Sequence, residues 1–535
     1  MKKNKHLKNK LSEKERVAMA LRPLSEKQMQ SLSKEELLIV LRGEQQISKH
    51  YKEIIETQKE LNRELEEKKL CLEGKLVTLK CRLFSPKSER FKPDPVKPPG
   101  DPPKKKRAVT IQRNLLERYP NADVIEKELK LDSLPTCSCC EQMMSEMGIW
   151  EQSQYITVIP KQYLITNLLR MKYHCSHCFS TIQTTPQLPK IVPRSIYSDE
   201  FIMDVTLSKY CDLIPVDRYT AIAARLGITD LPTNSMYDLS LKLAEFVQPV
   251  YELIRIETLD AIVLHGDETP HKMLEGDEKD NWYLWGFFSE FACFFECHDT
   301  RAGSIAADIL SESSCEIFMS DAFSGYTKGV AEANKLREKA ELKLILAVLC
   351  NAHARRYFRE CTNPNDKEKS NSDAEVFITE YHEIYETDKE VKALLPKNFE
   401  EAEIKRASLK ERFAGMKVKA EGDLSRYPTH HAYYKACNYF INNYDGLSAC
   451  IKDPRIPLDN NVAERGLRPS VVGRKTWYGT HSPRGAMAGS IHFTLVEACK
   501  LNGVNPRHYY RDIVEAIHYK KDIYTPQSVQ KNASC

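Results

Sequence analysis

The order of elements between residues 259 and 350 constrains this chain more than any other stretch. AIVLHGDET reads as an apolar strand ending in Asp267, WYLWGFF as a second strand and ACFFEC as a third, an antiparallel meander. SIAADIL then has helical spacing, EIFMSD reads as a fourth strand ending in Asp321, GVAEANKLREKAEL as a helix, and LILAVLC as a fifth strand before HARRYF. Hairpin-linked strands followed by parallel additions through helices set the first and fourth strands side by side. Asp267 and Asp321 then project near the ends of neighbouring strands, where unpaired carboxylates repel unless a divalent cation sits between them.

The expected core is a ribonuclease H-like α/β fold within a multidomain α+β chain. Residues 365–450 are charged and helical in pattern and read as a helical insertion rather than a loop. PLDNNVAERGLR follows, with Asn460 and Asn461 as good helix caps and Glu464 in the first turn. Arg465 and Arg468 offer Glu464 an ordinary surface ion pair as the competing reading. As a third acid, Glu464 would complete with Asp267 and Asp321 a site for two Mg²⁺ (or Mn²⁺) ions, which favour oxygen ligands and serve in-line displacement at phosphate. His353, Arg355, Arg356, Arg465, Arg468, Arg474 and Lys475 are candidate contacts to a DNA backbone; a charged face with internal Glu-to-Arg pairs is the alternative.

Upstream, a seven-residue repeat runs through Leu37, Tyr51, Leu65, Leu72 and Leu79 on one seam and Val40, Ile47, Ile54 and Leu61 on the other. Glu44, Gln58, Lys68 and Lys75 interrupt it, but the repeat still favours a self-associating coil and hence a homo-oligomer. KPDPVKPPGDPPKKKR is a Pro-rich basic linker that holds no core. Cys137-Ser-Cys-Cys140 and Cys175-Ser-His-Cys178 form a pair of CxxC turns suited to one structural Zn²⁺, with YITVIP and QYLITNLL between them alternating like two strands. Cys139, His174 and His177 leave that ligand set open. SDEFIMDVTLSKYCDLIP, DRYTAIAARLGI and MYDLSLKLAEFV read as helices, with Asn234 or Ser235 capping the last, an arrangement that fits a helix-turn-helix. The chain thus divides into a coiled coil (1–90), linker (91–125), zinc-binding domain (126–190), helical region (191–250), first part of the core (251–362), helical insertion (363–452), last part of the core (453–500) and C-terminal segment (501–535).

Composition narrows the class. The formal charge of +4 is the remainder of 79 basic and 75 acidic residues, so a nucleic-acid footprint must be local. Seventeen cysteines, mostly scattered singly, suit reduced thiols more than a disulfide framework. No apolar run approaches a membrane span, and the basic start leads into LSEKERVAMA rather than a signal-peptide core, so a cytoplasmic protein without a membrane partner is expected.

LFSPKSERF, the paired CxxC, KYCDLIPVDRYTAIAARLGI, HGDETP, MSDAFSGY, CNAHARRYF, PLDNNVAERGLRPSVVGRKTW and ACKLNGVNPRHYY together resemble the insertion sequence 66 family of bacterial transposases over nearly the whole chain. The resemblance implies a DDE transposase with Asp267, Asp321 and Glu464 as catalytic acids, a leucine-zipper-like N-terminus, a zinc-binding domain and a helical insertion before the last acid. It further implies action on a mobile element's terminal inverted repeats and target DNA, often beside small accessory proteins of the same element, at the nucleoid. Glu141 departs from the family pattern, which usually has Gly in the first zinc knuckle. A nuclease or resolvase of the same fold, and a DNA-binding regulator with a silent core, are the competing functions.

Overall fold

A computed structural model describes residues 33–35, 49, 52, 56–60, 115–119, 122–146, 150, 153–177, 182–274, 281–362 and 371–533. The heptad seams, the Pro-rich run 92–107 and Cys178 lie outside the described residues. After a short helix α1 (Leu115–Arg118), the CxxC region holds one antiparallel hairpin, β1 (Lys172–His174) against β2 (Ile182–Thr184). YITVIP and QYLITNLL, expected as strands, are not strands. Alternation of apolar side chains makes a strand only where a ladder partner exists, and these segments have none among the described residues, so Ile156, Val158, Leu164 and Ile165 face solvent.

Three helices follow. In α2 (Asp199–Tyr210) the Ser198 hydroxyl accepts the Phe201 N–H at 3.2 Å, and Asp199 and Glu200 complement the first-turn dipole. α3 (Val216–Arg225) is amphipathic, burying Val216, Tyr219 and Ala223. α4 (Thr233–Leu259) begins directly after Pro232 without a side-chain cap, so neither Asn234 nor Ser235 plays the expected part; it continues through Pro249 past the expected boundary at residue 250.

The sheet comes next: β3 (Val263–Lys272), β4 (Asn281–Phe288), β5 (Cys293–His298), then α5 (Gly303–Glu312), β6 (Ile317–Ser320), α6 (Ser324–Lys339) and β7 (Leu346–Leu349). The strand order is β5-β4-β3-β6-β7, antiparallel through the meander and parallel across β3, β6 and β7. β3 does not stop at Asp267: its hairpin with β4 runs on to Lys272 opposite Asn281, whereas its pairing with β6 ends at His265 opposite Met319. Beyond His265 the sheet therefore splits, and the gap at the carboxyl ends of the parallel strands is the position where open α/β sheets build their sites.

β7 leads into α7 (Asn351–Glu360) and then α8 (Ser372–Leu394), α9 (Phe399–Ala407), α10 (Leu409–Leu424), α11 (Ala432–Asn442) and α12 (Tyr444–Ser448). The chain returns through α13 (Asn461–Trp477), α14 (Pro483–Leu501), α15 (Pro506–His518) and α16 (Pro526–Ala533). The period-two alternation of β6 divides the core. Phe318 belongs to one apolar cluster with Leu243 and Val247 of α4 and Phe493 of α14, while Ile317 and Met319 belong to the other with Phe358 of α7 and Phe377 and Phe440 of the helical insertion. The expected helical region and the sheet thus share one apolar core.

α13 crosses β4 so closely that a Cβ on Gly466 would fall within the Phe288 ring. Gly466→Ala is expected to cost about 1–3 kcal/mol in denaturant unfolding, through overpacking. On an open helix face the same change would stabilise by about 1 kcal/mol, so the sign of the shift tests the contact.

Candidate functional site

Asp267 sits just past the last β3–β6 pair, and Asp321 immediately follows β6. Asp267 Oδ1 accepts the Glu268 N–H at 2.9 Å, and Asp321 Oδ1 accepts the Phe323 N–H at 3.0 Å before α6. Burial, then the charges of Glu268 and Asp321, push the Asp267 carboxyl up to about 7. Glu268 is itself pushed up by burial, although its Oε1 accepts from Arg301 Nε at 2.7 Å. The Arg301 guanidinium is stacked on Phe323, 3.8 Å from the ring centroid. Asp267, Glu268 and Asp321 offer oxygen donors of the kind a hard divalent cation takes, but among the described residues they do not form a close group of three, and Glu464 groups with Cys350 and His353 instead.

Glu464 lies in the first turn of α13, and the start of that helix is fastened to the same strand ends. Asn460 occupies the N-cap position, yet its side chain caps nothing: Nδ2 donates to the Gly266 carbonyl at 2.8 Å and Oδ1 accepts from His265 Nδ1 at 3.0 Å. Burial holds His265 down to about 4, so the ring is neutral at pH 7. The Asn460 N–H points at Cys350 Sγ (3.2 Å), and the Cys350 N–H donates to the Ser320 carbonyl (3.0 Å), which ties α13 to the ends of β6 and β7. Glu464 Oε1 is 3.6 Å from His353 Nδ1, and with Cys350 Sγ these donor atoms all lie within 4.8 Å of one another.

The other sequence candidates separate. Arg465, Arg468, Arg356 and Lys475 are exposed. Arg355 is half-buried with its guanidinium 5.9 Å from the Tyr385 ring centroid, Arg474 donates to Thr269 Oγ1 at 3.3 Å, and His353 faces Glu464. Sequence reasoning missed Glu268, Arg301, Cys350 and the tertiary role of Asn460. The second acid of HGDET and the cysteine opening CNAHARRYF were the available signals; Arg301 had none.

At the first CxxC, the Cys137 N–H donates to the Gln142 carbonyl (2.8 Å) and the Glu141 N–H to the Cys137 carbonyl (2.9 Å). Backbone N–H groups of Cys139 and Cys140, then the Cys140 thiol, pull the Cys137 thiol below its ordinary value, which favours the thiolate that zinc requires. Cys175 follows β1, half-buried. Glu141 stands at φ +62°, the left-handed conformation that glycine adopts without strain. Glu141→Gly is expected to tighten retention of an ion held by the paired CxxC, measured against a chelator, by up to roughly fivefold, the equivalent of about 1 kcal/mol of relieved strain, and Glu141→Val to weaken it.

Residues 194–488 match the family model described as Transposase IS66 family. The chain is 24% identical over 430 residues to the uncharacterized protein y4hP of Sinorhizobium fredii (strain NBRC 101917 / NGR234), an alignment covering 77% of this chain and 75% of that protein. It is 21% identical over 415 residues to the uncharacterized protein y4jD of the same strain, covering 75% and 78%.

Proposed function

The chain belongs to the IS66 family of transposases, and from that premise we propose that it is a DDE transposase whose acids are Asp267, Asp321 and Glu464 on a ribonuclease H-like core. It binds the terminal inverted repeats of its element, cuts at their 3′ ends and joins those ends to target DNA. One observation carries the reading: Asp267 and Asp321 flank the split between β3 and β6, and the helix bearing Glu464 is hydrogen-bonded to the same strand ends.

The chain's own residues hold and orient. Asp267 and Asp321 present carboxylates fixed by backbone N–H groups, and Asn460 fixes the start of the helix that carries Glu464. Two bound divalent cations, Mg²⁺ or Mn²⁺, supply activation of the attacking oxygen and stabilisation of charge on the phosphate. No Ser, Tyr or Cys nucleophile is required, because water and then the 3′ hydroxyl attack. Arg465, Arg468 and Lys475 on exposed positions of α13, with Arg356 on α7, contact the DNA backbone, and His353, Arg355 and Arg474, which are partly buried, are the lesser candidates for that role. Cys137, Cys140, Cys175 and Cys178 hold one structural zinc, and the N-terminal heptads pair two chains. No described helix is long and apolar enough to cross a membrane, and the site of action is the nucleoid, beside any accessory proteins of the element.

Labelled element-end DNA incubated with the protein, Mg²⁺ and a target plasmid tests this reading. Joined products are expected; cleavage that never proceeds to joining supports a nuclease or resolvase instead, and binding without cleavage supports a regulator.

A further inference from the structure

We propose that Cys350, His353 and Glu464 form a second, regulatory metal site for an ion of the zinc class, whose occupation takes Glu464 away from the aspartate pair and stops the DNA chemistry. The inhibitory half of this proposal rests on the role of Glu464 given above; the metal-binding half does not.

The donors are of three kinds, a thiol, an imidazole and a carboxylate. They form the one group of three close metal-ligating side chains among the described residues, with donor atoms all within 4.8 Å of one another. Zinc binds sulfur at about 2.3 Å, imidazole nitrogen at about 2.0–2.1 Å and carboxylate oxygen at about 2.0–2.2 Å, so tetrahedral donors stand roughly 3.3–3.7 Å apart. The His353 Nδ1 to Glu464 Oε1 separation of 3.6 Å already spans such an edge. The sulfur needs to approach by up to about 1.5 Å, within the reach of side-chain adjustments. Cys350 and His353 lie three residues apart across the start of α7, so both project toward the first turn of α13.

Access and rigidity suit a regulatory site. The His353 and Glu464 side chains are 19% and 20% exposed, so their outer atoms reach solvent while His353 Nδ1 and Glu464 Oε1 face inward, and Cys350 closes the buried end. The backbone around Cys350 is fixed by its bond to Ser320, the residue before Asp321, so the two sites share a wall. Three protein ligands leave a fourth position for water, as in open zinc sites. Thiol and imidazole donors select zinc-class ions, and Mg²⁺ selects the all-oxygen site at Asp267 and Asp321. Glu464 is common to both sets, so an ion held by Cys350 and His353 competes with the aspartate site for its carboxylate.

The test counts metal on the full-length protein in the absence of DNA. CoCl₂ titration, read by cobalt–thiolate absorbance and by bound cobalt per chain, should give one ion fewer for Cys350→Ala and for His353→Asn than for the unaltered protein. Cys175→Ser, which disturbs only the paired CxxC, should keep that ion. Should Cys350→Ala fail to fold, the partly exposed His353→Asn gives the count alone. Equal cobalt counts in the unaltered protein and His353→Asn would overturn the site. In the cleavage assay with Mg²⁺ present, ZnCl₂ should inhibit the unaltered protein at a concentration at least tenfold below that needed for either variant, each measured against its own zinc-free rate. Equal zinc sensitivity would overturn the switch even where the ion binds. Because the count needs no DNA, loss of the metal site and loss of the transposase reading are separable.

Discussion

Asp267→Asn is expected to lower 3′-end cleavage and strand transfer by at least about a thousandfold, about 4 kcal/mol of transition-state stabilisation, while leaving DNA affinity within about twofold. The amide keeps the shape of the side chain and its place beside the Glu268 N–H, so the fold has no reason to change. What disappears is a negative oxygen donor for the cations that carry the phosphoryl chemistry. The same variant should gain stability in the metal-free protein, with a definite pH dependence. The folded Asp267 carboxyl titrates near about 7 against an ordinary 3.8, so the protonated form is favoured by folding. Stability from that preference is complete below about pH 4 and lost as pH rises through 7. Metal-free Asp267→Asn should therefore match the unaltered protein at acid pH and exceed it at pH 8, as read by thermal unfolding in a chelating buffer.

Asn460→Ala is expected to cost about 2–4 kcal/mol of stability and to lower cleavage by about a hundredfold or more even where the protein stays folded. The residue is 1% exposed, and its side chain satisfies the Gly266 carbonyl and His265 Nδ1 together. Truncation leaves two buried polar groups without partners, each worth roughly 1–3 kcal/mol. Because His265 and Gly266 directly precede Asp267 on β3, the same bonds set the distance between the aspartates and the helix carrying Glu464. Asn460→Asp should recover only part of the loss, since a carboxylate accepts from His265 but cannot donate to Gly266. Unfolding by denaturant and cleavage measured on the same preparations separate the two effects.

The sheet was legible because burial leaves a period in the sequence. Ile317, Phe318 and Met319 face alternate cores, and WYLWGFF and ACFFEC carry enough aromatic mass to read as strands from local pattern. The end of β3 was not legible, since beyond Asp267 the strand is held by its ladder with β4 and not by apolar burial. The start of α4 was misread for a similar reason: Pro232 fixes the entry of the helix, and cap preference at Asn234 or Ser235 never comes into play. Asn460 shows the converse, a residue recognised as a cap from local propensity whose side chain is committed to tertiary bonds 194 and 195 positions away in sequence. Arg301 belongs to the acid cluster only through the packing of β3 against the turn after β5, and Cys350 resembled the other scattered core cysteines until His353 and Glu464 were seen beside it. Around the paired CxxC, alternation in YITVIP and QYLITNLL imitated strands that have no ladder partner among the described residues.

Asp267, Asp321 and Glu464 are proposed to hold the same ions, and Fe²⁺-directed cleavage of the protein tests that proposal. Fe²⁺ substituted for Mg²⁺, then exposed to ascorbate and peroxide, cuts the backbone close to wherever it is bound. In His353→Asn, which lacks the Cys350–His353–Glu464 site, cuts near residues 267, 321 and 464 are expected together, all suppressed in parallel by excess Mg²⁺ and all lost when Asp267→Asn is added. Cuts near 267 and 321 that leave 464 untouched, or cuts near 464 that excess Mg²⁺ does not suppress, would contradict it.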